Sequence, residues 1–207
     1  DAARRDFTLN ALYATPDGVV HDPLGGIEDC RSRRIRFIKD ASMRIQEDYL
    51  RILRYFRFHA WYAPTDDGFD VEALGAITEN SHGLETLSAE RIGMEMIKLL
   101  KAPDPAPAIA AMRETGCLMR ILPGSDDRLL GPVIHLAQSA GQDPDPILRL
   151  AALGGDDVSD RLRLSRQSAR HLQALNDSGY GGKLLAEVAY KLGRDVAIGA
   201  AILRAAL

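Results

Sequence analysis

The stretch RIQEDYLRILRYFRF, residues 44–58, decides the fold class of this 207-residue chain. Its apolar residues recur at intervals of three and four, the spacing of one face of an α-helix. We therefore predict a single helix over residues 42–62, whose start can be capped by Asp40 or Ser42. The buried face of this helix would consist of Tyr49, Ile52, Leu53, Phe56 and Ala60.

The opposite face of the predicted helix is charged. At about 100° per residue, five side chains share an arc of roughly 120°: Arg44, Glu47, Asp48, Arg51 and Arg54. Asp48 and Arg51 would be neighbours at i,i+3, and Glu47 would hold the guanidinium of Arg51 at i,i+4.

A fixed carboxylate beside a fixed guanidinium presents a hydrogen-bond acceptor next to a donor. Cytosine and adenine present the complementary edge, an amino donor beside a ring-nitrogen acceptor, whereas uracil and guanine present the reverse. Asp48 and Arg51 can therefore select C and A, since a mismatched base would leave buried polar groups unpaired at about 1–3 kcal/mol each. Arg54 and Arg57 continue the row with guanidinium groups that suit phosphates. The spacing equally fits solvated ion pairs of a few tenths of a kcal/mol, so both interpretations stay open.

The residues before Asp40 predict short strands and no helix. Residues 9–14, 19–21 and 34–38 have strand character, and a turn signal separates the first two. These strands look like the end of a sheet that begins upstream. Because the chain also starts without an initiator Met, we interpret it as a fragment.

The residues after the predicted helix are helical throughout. The patterns predict one helix marked by Val71, Leu74 and Ile77, a second capped by Ser88, and a third beginning at Asp104. Further helices are predicted near residues 128–139, 145–153, 165–177, 183–192 and 195–206. The fold class is therefore mainly α, a helical array with a small N-terminal β remnant.

Composition favours a globular protein in a reducing compartment. Hydrophobic residues make up 46% of the chain and charged residues 27%, with no apolar run long enough to span a membrane and no signal peptide. Cys30 and Cys117 are isolated in sequence, which favours a cytoplasmic location. Residues 1–62 hold 11 Lys/Arg against 9 Asp/Glu and the remainder 15 against 20, so a polyanion should prefer the N-terminal part. The five histidines lack zinc-ligand spacing.

Three blocks in order resemble the class II tRNA nucleotidyltransferase and bacterial poly(A) polymerase superfamily. They are RRDFTLNAL at residues 4–12, DPLGGIED at 22–29 and EDYLRILR at 47–54, with a weaker fourth, LSAERI, at 87–92. The sequence of residues 44–58 is more similar to that of CCA-adding enzymes of mitochondrial and alphaproteobacterial type than to that of poly(A) polymerases.

The resemblance implies a head, neck, body and tail arrangement. Residues 1–39 would be the C-terminal remnant of the head, 40–102 the nucleotide-selecting neck, and 103–207 the RNA-facing body and tail. By motif position, Asp48 and Arg51 would pair with incoming CTP or ATP.

The same resemblance implies roles for further residues around this pair. Arg5 and Asp6 would lie near the ribose and triphosphate, and Arg54 and Arg57 would contact the nucleotide or its phosphates. Supporting positions in the neck would be Glu47, Glu90 and Arg91. Gly25 and Gly26 would form a hinge between head and neck, or a turn that needs positive φ, and both interpretations are compatible.

The catalytic metal ligands of the resembled family have no counterpart in this sequence. That chemistry needs a Gly-Ser element and two aspartates one residue apart, which hold two Mg²⁺ ions. Asp143 and Asp145 have the spacing, but they lie among prolines in the helical region. We therefore expect no catalytic or metal-binding residue here, and a fragment that is inactive alone.

The intact enzyme would use ATP, CTP and Mg²⁺ and act on the tRNA 3′ end. Two alternatives stay open from sequence. One is a fragment of a bacterial poly(A) polymerase of the same superfamily, and the other is a noncatalytic helical RNA-binding module.

Overall fold

The computed structural model describes residues 2–64 and 68–207, and this part of the chain is predominantly helical, as predicted. Two antiparallel strands, β1 (Tyr13–Ala14) and β2 (Val20–His21), form the predicted hairpin. Thirteen α-helices occur among the described residues: α1 (Gly26–Ser32), α2 (Ala41–Glu47), α3 (Leu50–Tyr62), α4 (Val71–Asn80), α5 (Ala89–Leu100), α6 (Ala106–Glu114), α7 (Cys117–Ile121), α8 (Leu130–Ser139), α9 (Pro146–Leu153), α10 (Val158–Arg161), α11 (Arg166–Gly179), α12 (Leu185–Leu192) and α13 (Arg194–Ala206). Short 3-10 turns cover Ala2–Arg4, Thr8–Asn10 and Ser81–Thr86.

The N-terminal segment differs from the prediction of three strands without a helix. Residues 34–38 form only an isolated bridge between Phe7 and Phe37, and α1 lies between the hairpin and that bridge. The helix begins where it does because the Asp22 carboxylate accepts hydrogen bonds from the backbone N–H groups of Gly26 (2.7 Å) and Ile27 (3.0 Å). These bonds satisfy donors that have no partner within the first turn.

The prediction of one helix over residues 42–62 is wrong. Asp40 caps α2 by accepting the Met43 N–H (2.7 Å), as expected, but α2 ends at Glu47 and Asp48 is extended, with φ −159° and ψ 105°. The Asp48 carboxylate accepts the Leu50 N–H (3.1 Å), a local bond that competes with helix continuation. The chain restarts as α3, so the arc calculated for a continuous helix does not hold across Asp48.

Most of the later helices occur where their periodicity predicts them. Ser88 caps α5 by accepting the Arg91 N–H (3.4 Å), and Asp104 and Pro105 precede α6. The sequence did not predict α7 and α10, which have only five and four residues. Such short helices complete too few turns to show a periodic pattern.

Aromatic side chains join the N-terminal segment to α3. The Phe7 ring lies 5.1 Å from the Phe37 ring and 5.0 Å from the Phe58 ring, between centroids. Tyr55 stacks on Phe37 at 5.4 Å, and its burial raises the pKa of its hydroxyl above the usual range. The segment before Asp40 therefore shares one core with α3. The division of the chain into residues 1–39, 40–102 and 103–207 stays a prediction.

Helix α5 approaches the connection between α10 and α11 at a glycine. A Cβ atom added to Gly93 would lie 1.9 Å from the backbone oxygen of Leu162, too close for any side chain. Gly75 on α4 is also helical, but a Cβ there would meet nothing within 4 Å. The two positions therefore form a matched pair for testing this approach.

We predict that Gly93→Ala destabilises the fold by about 1–3 kcal/mol, because the added methyl group must displace the backbone at Leu162. Gly75→Ala should be neutral or stabilising by up to about 1 kcal/mol, since alanine favours the helix. Urea denaturation followed by circular dichroism measures both changes. Equal stability of the two variants would contradict the close packing of α5 on this connection.

Candidate functional site

The break between α2 and α3 exposes the Asp48 carboxylate to a helix that follows much later in the chain. Both of its oxygens lie within hydrogen-bond distance of Nη2 of Arg91, at 3.0 and 2.8 Å. Arg91 stands in the first turn of α5, and the Asp48 side chain remains 34% exposed. Because each carboxylate oxygen has two lone pairs, Asp48 keeps acceptor capacity toward solvent.

Arg51 is fixed by different partners. Its Nη1 donates to Glu47 Oε2 and to the Arg44 carbonyl, both at 2.7 Å, and its Nη2 donates to the Arg4 carbonyl at 3.1 Å. The Glu47 contact predicted from i,i+4 spacing is present. The Arg51 backbone N–H donates to the Asp48 carbonyl at 3.0 Å, but no side-chain hydrogen bond between described residues joins the two. A guanidinium has five N–H donors, so these three bonds leave two for a ligand.

A continuous helix implied that Arg44 lies on a solvated polar face, and this is not the case. It is buried, donating to Glu47 Oε2 (2.5 Å) and to the Arg5 carbonyl. The hydrogen bond from Arg51 lowers the pKa of Glu47, partial burial opposes this, and the bond from Arg44 lowers it further. Glu47 therefore stays ionised and joins two arginines that hold the N-terminal segment.

Arg54 and Asp6 bind each other. Arg54 Nε donates to the Asp6 carboxylate, and Asn10 Nδ2 donates to Asp6 Oδ1 at 2.8 Å. Burial raises the pKa of Asp6, but the hydrogen bonds from Arg54 and Asn10 outweigh it, and the net pKa is below the ordinary value. The sequence analysis did not single out Asn10, although it lies in the same motif block.

Arg57 turns toward α5 rather than continuing an exposed row. Its Nε donates to Glu95 Oε2 at 2.6 Å, and its guanidinium carbon lies 4.6 Å from the Phe58 ring centroid. Glu95 is buried, so a phosphate contact by Arg57 would require it to leave a buried partner. A nucleotide-binding role for Arg57 stays a prediction that this geometry does not favour.

The remaining predicted residues lie around this cluster. Arg5 is exposed, with its guanidinium carbon 5.8 Å from the Tyr13 ring centroid, and Glu90 pairs with Arg163 at 3.4 Å. Gly25 has φ +69°, and a Cβ on Gly26 would lie 2.2 Å from the Thr8 carbonyl oxygen. Turn geometry and close packing account for both glycines, and their hinge role stays a prediction.

Comparison with known proteins places this geometry in a family. A model described as "Poly A polymerase head domain" matches residues 1–36, and one described as "Probable RNA and SrmB- binding site of polymerase A" matches residues 68–129. The mitochondrial CCA tRNA nucleotidyltransferase 1 of Danio rerio is 38% identical over 174 residues, which cover 81% of this chain and 40% of that protein. The CCA-adding enzyme of Geobacillus stearothermophilus is 41% identical over 126 residues, 60% of this chain and 30% of that enzyme.

Solved structures agree with these sequence matches. A Bacillus stearothermophilus CCA-adding enzyme in complex with CTP superposes with a TM-score of 0.76 at 29% identity, covering all of this chain and 54% of that one. A Thermotoga maritima CCA-adding enzyme in complex with tRNA has the same fold, with a TM-score of 0.70 at 20% identity, covering 99% of this chain and 56% of that one.

The chain belongs to the class II CCA-adding enzyme and poly(A) polymerase superfamily. It spans about 40% of the length of the Danio rerio relative and 30% of the Geobacillus stearothermophilus relative. Membership therefore assigns the fold and the nucleotidyltransferase family.

The residues described here do not fit the family's metal site. They include no group of three or more His, Cys, Asp or Glu side chains that could hold a metal ion. Asp143 and Asp145 form an Asp-x-Asp pair. Asp145 caps α9 by accepting the Ile147 N–H (2.8 Å), and its other carboxylate oxygen lies 3.2 Å from Nε2 of His171. No described helix is both long and apolar enough to cross a membrane.

The pairing of Asp6 with Arg54 predicts a pH-dependent contribution to stability. We expect Asp6→Asn to cost about 2 kcal/mol at pH 7, because it leaves a partly buried guanidinium without its counter-charge. The folded-state pKa of Asp6 is lowered, so its contribution is present above the unfolded value near 3.8 and is lost as pH falls through the folded value.

Urea denaturation of wild type and Asp6→Asn between pH 7 and pH 3 measures this difference. The difference in unfolding free energy between wild type and Asp6→Asn should be constant above about pH 4.5, and it should decrease below about pH 3.8. Asp177→Asn, at an exposed position with no ion pair among the described residues, is the control. A gap that widens in acid would show that the carboxylate is not stabilised by Arg54.

Proposed function

We propose that the intact protein is a CCA-adding tRNA nucleotidyltransferase, and that Asp48 and Arg51 of this chain select CTP and ATP. The observation that carries the proposal is that each side chain is held by its own partners and still has hydrogen-bonding groups to offer. The names of the relatives, and the CTP complex of the 29% identical neighbour, support the substrate class.

Rigid anchoring is what base selection requires. A carboxylate or guanidinium that rotates freely can match either edge of a base, so it discriminates little. Arg91 restrains Asp48 with contacts to both oxygens, and Glu47 with two backbone carbonyls restrains Arg51. A site built to hydrogen-bond one pattern rejects a base that lacks it, because its polar groups are then left unpaired.

The other predicted nucleotide-binding residues differ in how readily they can contact a phosphate. Arg5 is exposed and has no ion pair with another described residue to give up when it meets an anion, so we assign it to the ribose and triphosphate. Arg54 is 31% exposed, and its remaining donors can meet a phosphate while Nε stays on Asp6. Asp6 then acts by orienting Arg54, and Glu47, Glu90 and Arg91 act as supports of the neck helices.

We predict that Asp48→Ala removes the preference for CTP and ATP over UTP. Because UTP cannot form hydrogen bonds worth about 1–3 kcal/mol, wild type should bind CTP about 5- to 150-fold more tightly than UTP. The variant should bind both nucleotides about equally. Competition against a fluorescent CTP analogue measures the ratio.

The control for that measurement is Glu85→Ala. Glu85 is also an exposed carboxylate paired with an arginine, Arg120, and this ion pair is separate from the one that holds Asp48. This variant should keep the wild-type ratio. If Asp48→Ala keeps it as well while its circular dichroism spectrum is unchanged, the proposed base selection is wrong.

A poly(A) polymerase of the same superfamily is the second candidate, because both matching family models carry that enzyme's name. The two enzymes differ in product. The intact protein, given a tRNA that ends before CCA, should add C and then A under our proposal, and only A under the alternative. A noncatalytic RNA-binding module would bind RNA with no preference among nucleotides.

We further propose that the 207-residue chain alone does not add nucleotides, even where it binds them. The one Gly-Ser pair in its sequence, Gly124-Ser125, is followed by the adjacent aspartates Asp126 and Asp127, and not by the two aspartates one residue apart that hold the two metal ions in the resembled family. The expected result is no incorporation of labelled CTP into tRNA, with the intact protein as positive control. Incorporation by the chain itself would contradict this proposal.

A further inference from the structure

The first described residues of the chain form an exposed arm that two arginines hold in place. Residues 2–5, which we call the N-terminal arm, include no buried side chain. Arg44 Nη2 donates to the Arg5 carbonyl, and Arg51 Nη2 donates to the Arg4 carbonyl at 3.1 Å. Among the described residues, no other hydrogen bond joins the arm to another part of the chain. The position of the arm therefore depends on these two guanidinium groups and on its covalent link to the residues that follow.

One carboxylate oxygen connects the two arginines. Glu47 Oε2 accepts hydrogen bonds from Nη1 of Arg44 at 2.5 Å and from Nη1 of Arg51 at 2.7 Å. Arg51 Nη1 also donates to the Arg44 carbonyl, 2.7 Å away. The three residues therefore form a closed group of hydrogen bonds, in which a shift of either guanidinium changes a bond that also restrains the other.

The burial of Arg44 serves the placement of the arm better than the stability of the core. Arg44 is 6% exposed, and its Nε has no hydrogen-bond partner in the described part of the chain. A buried donor without an acceptor destabilises a fold, and an apolar side chain at this position would avoid that cost. The guanidinium adds reach, because its planar fork connects Glu47 to the Arg5 carbonyl through two separate nitrogen atoms.

The arm carries the side chain that we assign to the triphosphate. Arg5 is exposed and forms no ion pair with another described residue, and its guanidinium carbon lies 5.8 Å from the Tyr13 ring centroid. A triphosphate bound by Arg5 restrains the arm, since a bidentate contact holds a guanidinium in one orientation. The arm then presents its carbonyls to Arg44 and Arg51 in one position.

We propose that Arg44 is a positioning residue that couples the triphosphate contact of Arg5 to base selection by Arg51. The inference rests on the proposed function for the roles of Arg5 and Arg51. A nucleotide with a triphosphate fixes the arm, and Arg44 together with the Arg4 carbonyl then holds Arg51 in its base-selecting position. Coupling between two sites is reciprocal, so a correct base also strengthens the triphosphate contact.

The coupling predicts that base selection depends on the triphosphate. Competition against a fluorescent CTP analogue measures the affinities of the chain for CTP, UTP, CMP and UMP. We expect the CTP/UTP affinity ratio of wild type to exceed the CMP/UMP ratio about fivefold or more, because a monophosphate lacks most of the group that Arg5 binds. Without coupling the two ratios are equal, since a phosphate contact that is independent of the base strengthens the binding of cytidine and uridine nucleotides alike.

Two variants locate the coupling. Arg5→Ala changes an exposed side chain and should lower the CTP/UTP ratio to the CMP/UMP ratio. Arg44→Lys keeps the charge but not the planar fork, so it should lose the link between Glu47 and the arm and lower the CTP/UTP ratio about fivefold or more. The double variant should have the ratio of Arg44→Lys alone, which a double-mutant cycle detects as non-additivity.

The matched control for Arg44→Lys is Arg149→Lys. Arg149 is also a buried arginine, 3% exposed, that donates to backbone carbonyls. Its three acceptors lie outside the arm and are the carbonyls of Leu100, Ala102 and Pro103. Both variants should lower the free energy of unfolding measured in urea, but only Arg44→Lys should change the CTP/UTP ratio.

The outcomes separate this inference from the proposed function. A wild-type chain that binds CTP and UTP equally rejects base selection and the coupling with it. A folded Arg44→Lys variant that keeps the wild-type preference for CTP overturns the coupling alone. If Arg44→Lys does not fold, Arg5→Ala decides, and an unchanged CTP/UTP ratio in that variant overturns the coupling. A ratio that falls in Arg5→Ala and Arg44→Lys but not in Arg149→Lys supports both proposals.

Discussion

The extended backbone at Asp48 determines how the charged residues of this region are arranged. A continuous helix would place Asp48 and Arg51 on one face as neighbours, where the two side chains would form an ion pair with each other. The break instead turns Asp48 to Arg91 on α5 and leaves Arg51 to Glu47 and two backbone carbonyls. The Asp48–Arg91 pair is partly exposed and contributes at most about 1 kcal/mol to stability. In the proposed base selection, the pair limits the directions in which the carboxylate points.

The N-terminal segment is part of the same arrangement. Arg44 and Arg51 donate to the carbonyls of Arg5 and Arg4, and the Phe7 ring packs on α3. A buried guanidinium that loses such acceptors is costly, so the segment and the α2–α3 break stabilise each other. The position of Arg51 therefore depends on residues more than forty positions earlier in the chain.

The sequence predicted the later helices well and the site geometry only in part. Periodicity is a property of a helix of several turns, which is why α5, α11 and α13 were predicted and the short α7 and α10 were not. The break at Asp48 rests on a side-chain bond to the Leu50 N–H and on a partner more than forty residues away. Helical periodicity continues across such a break, because the apolar residues of α2 and α3 face the same core. The contact of Arg57 could not be predicted for the same reason, since its spacing does not reveal that Glu95 is buried opposite it.

Net charge misleads about where an anion binds when it is averaged over long segments. The part of the chain after residue 62 is acidic overall, yet it contains a decapeptide with four arginines and no acidic residue. The N-terminal part is basic overall, yet many of its arginines are already bound to carboxylates or carbonyls. A bound guanidinium has less to offer a ligand than a free one, because it must first give up its partner. The proposed base selection therefore depends on arginines that partners already hold in place, and not on the average charge of the segment.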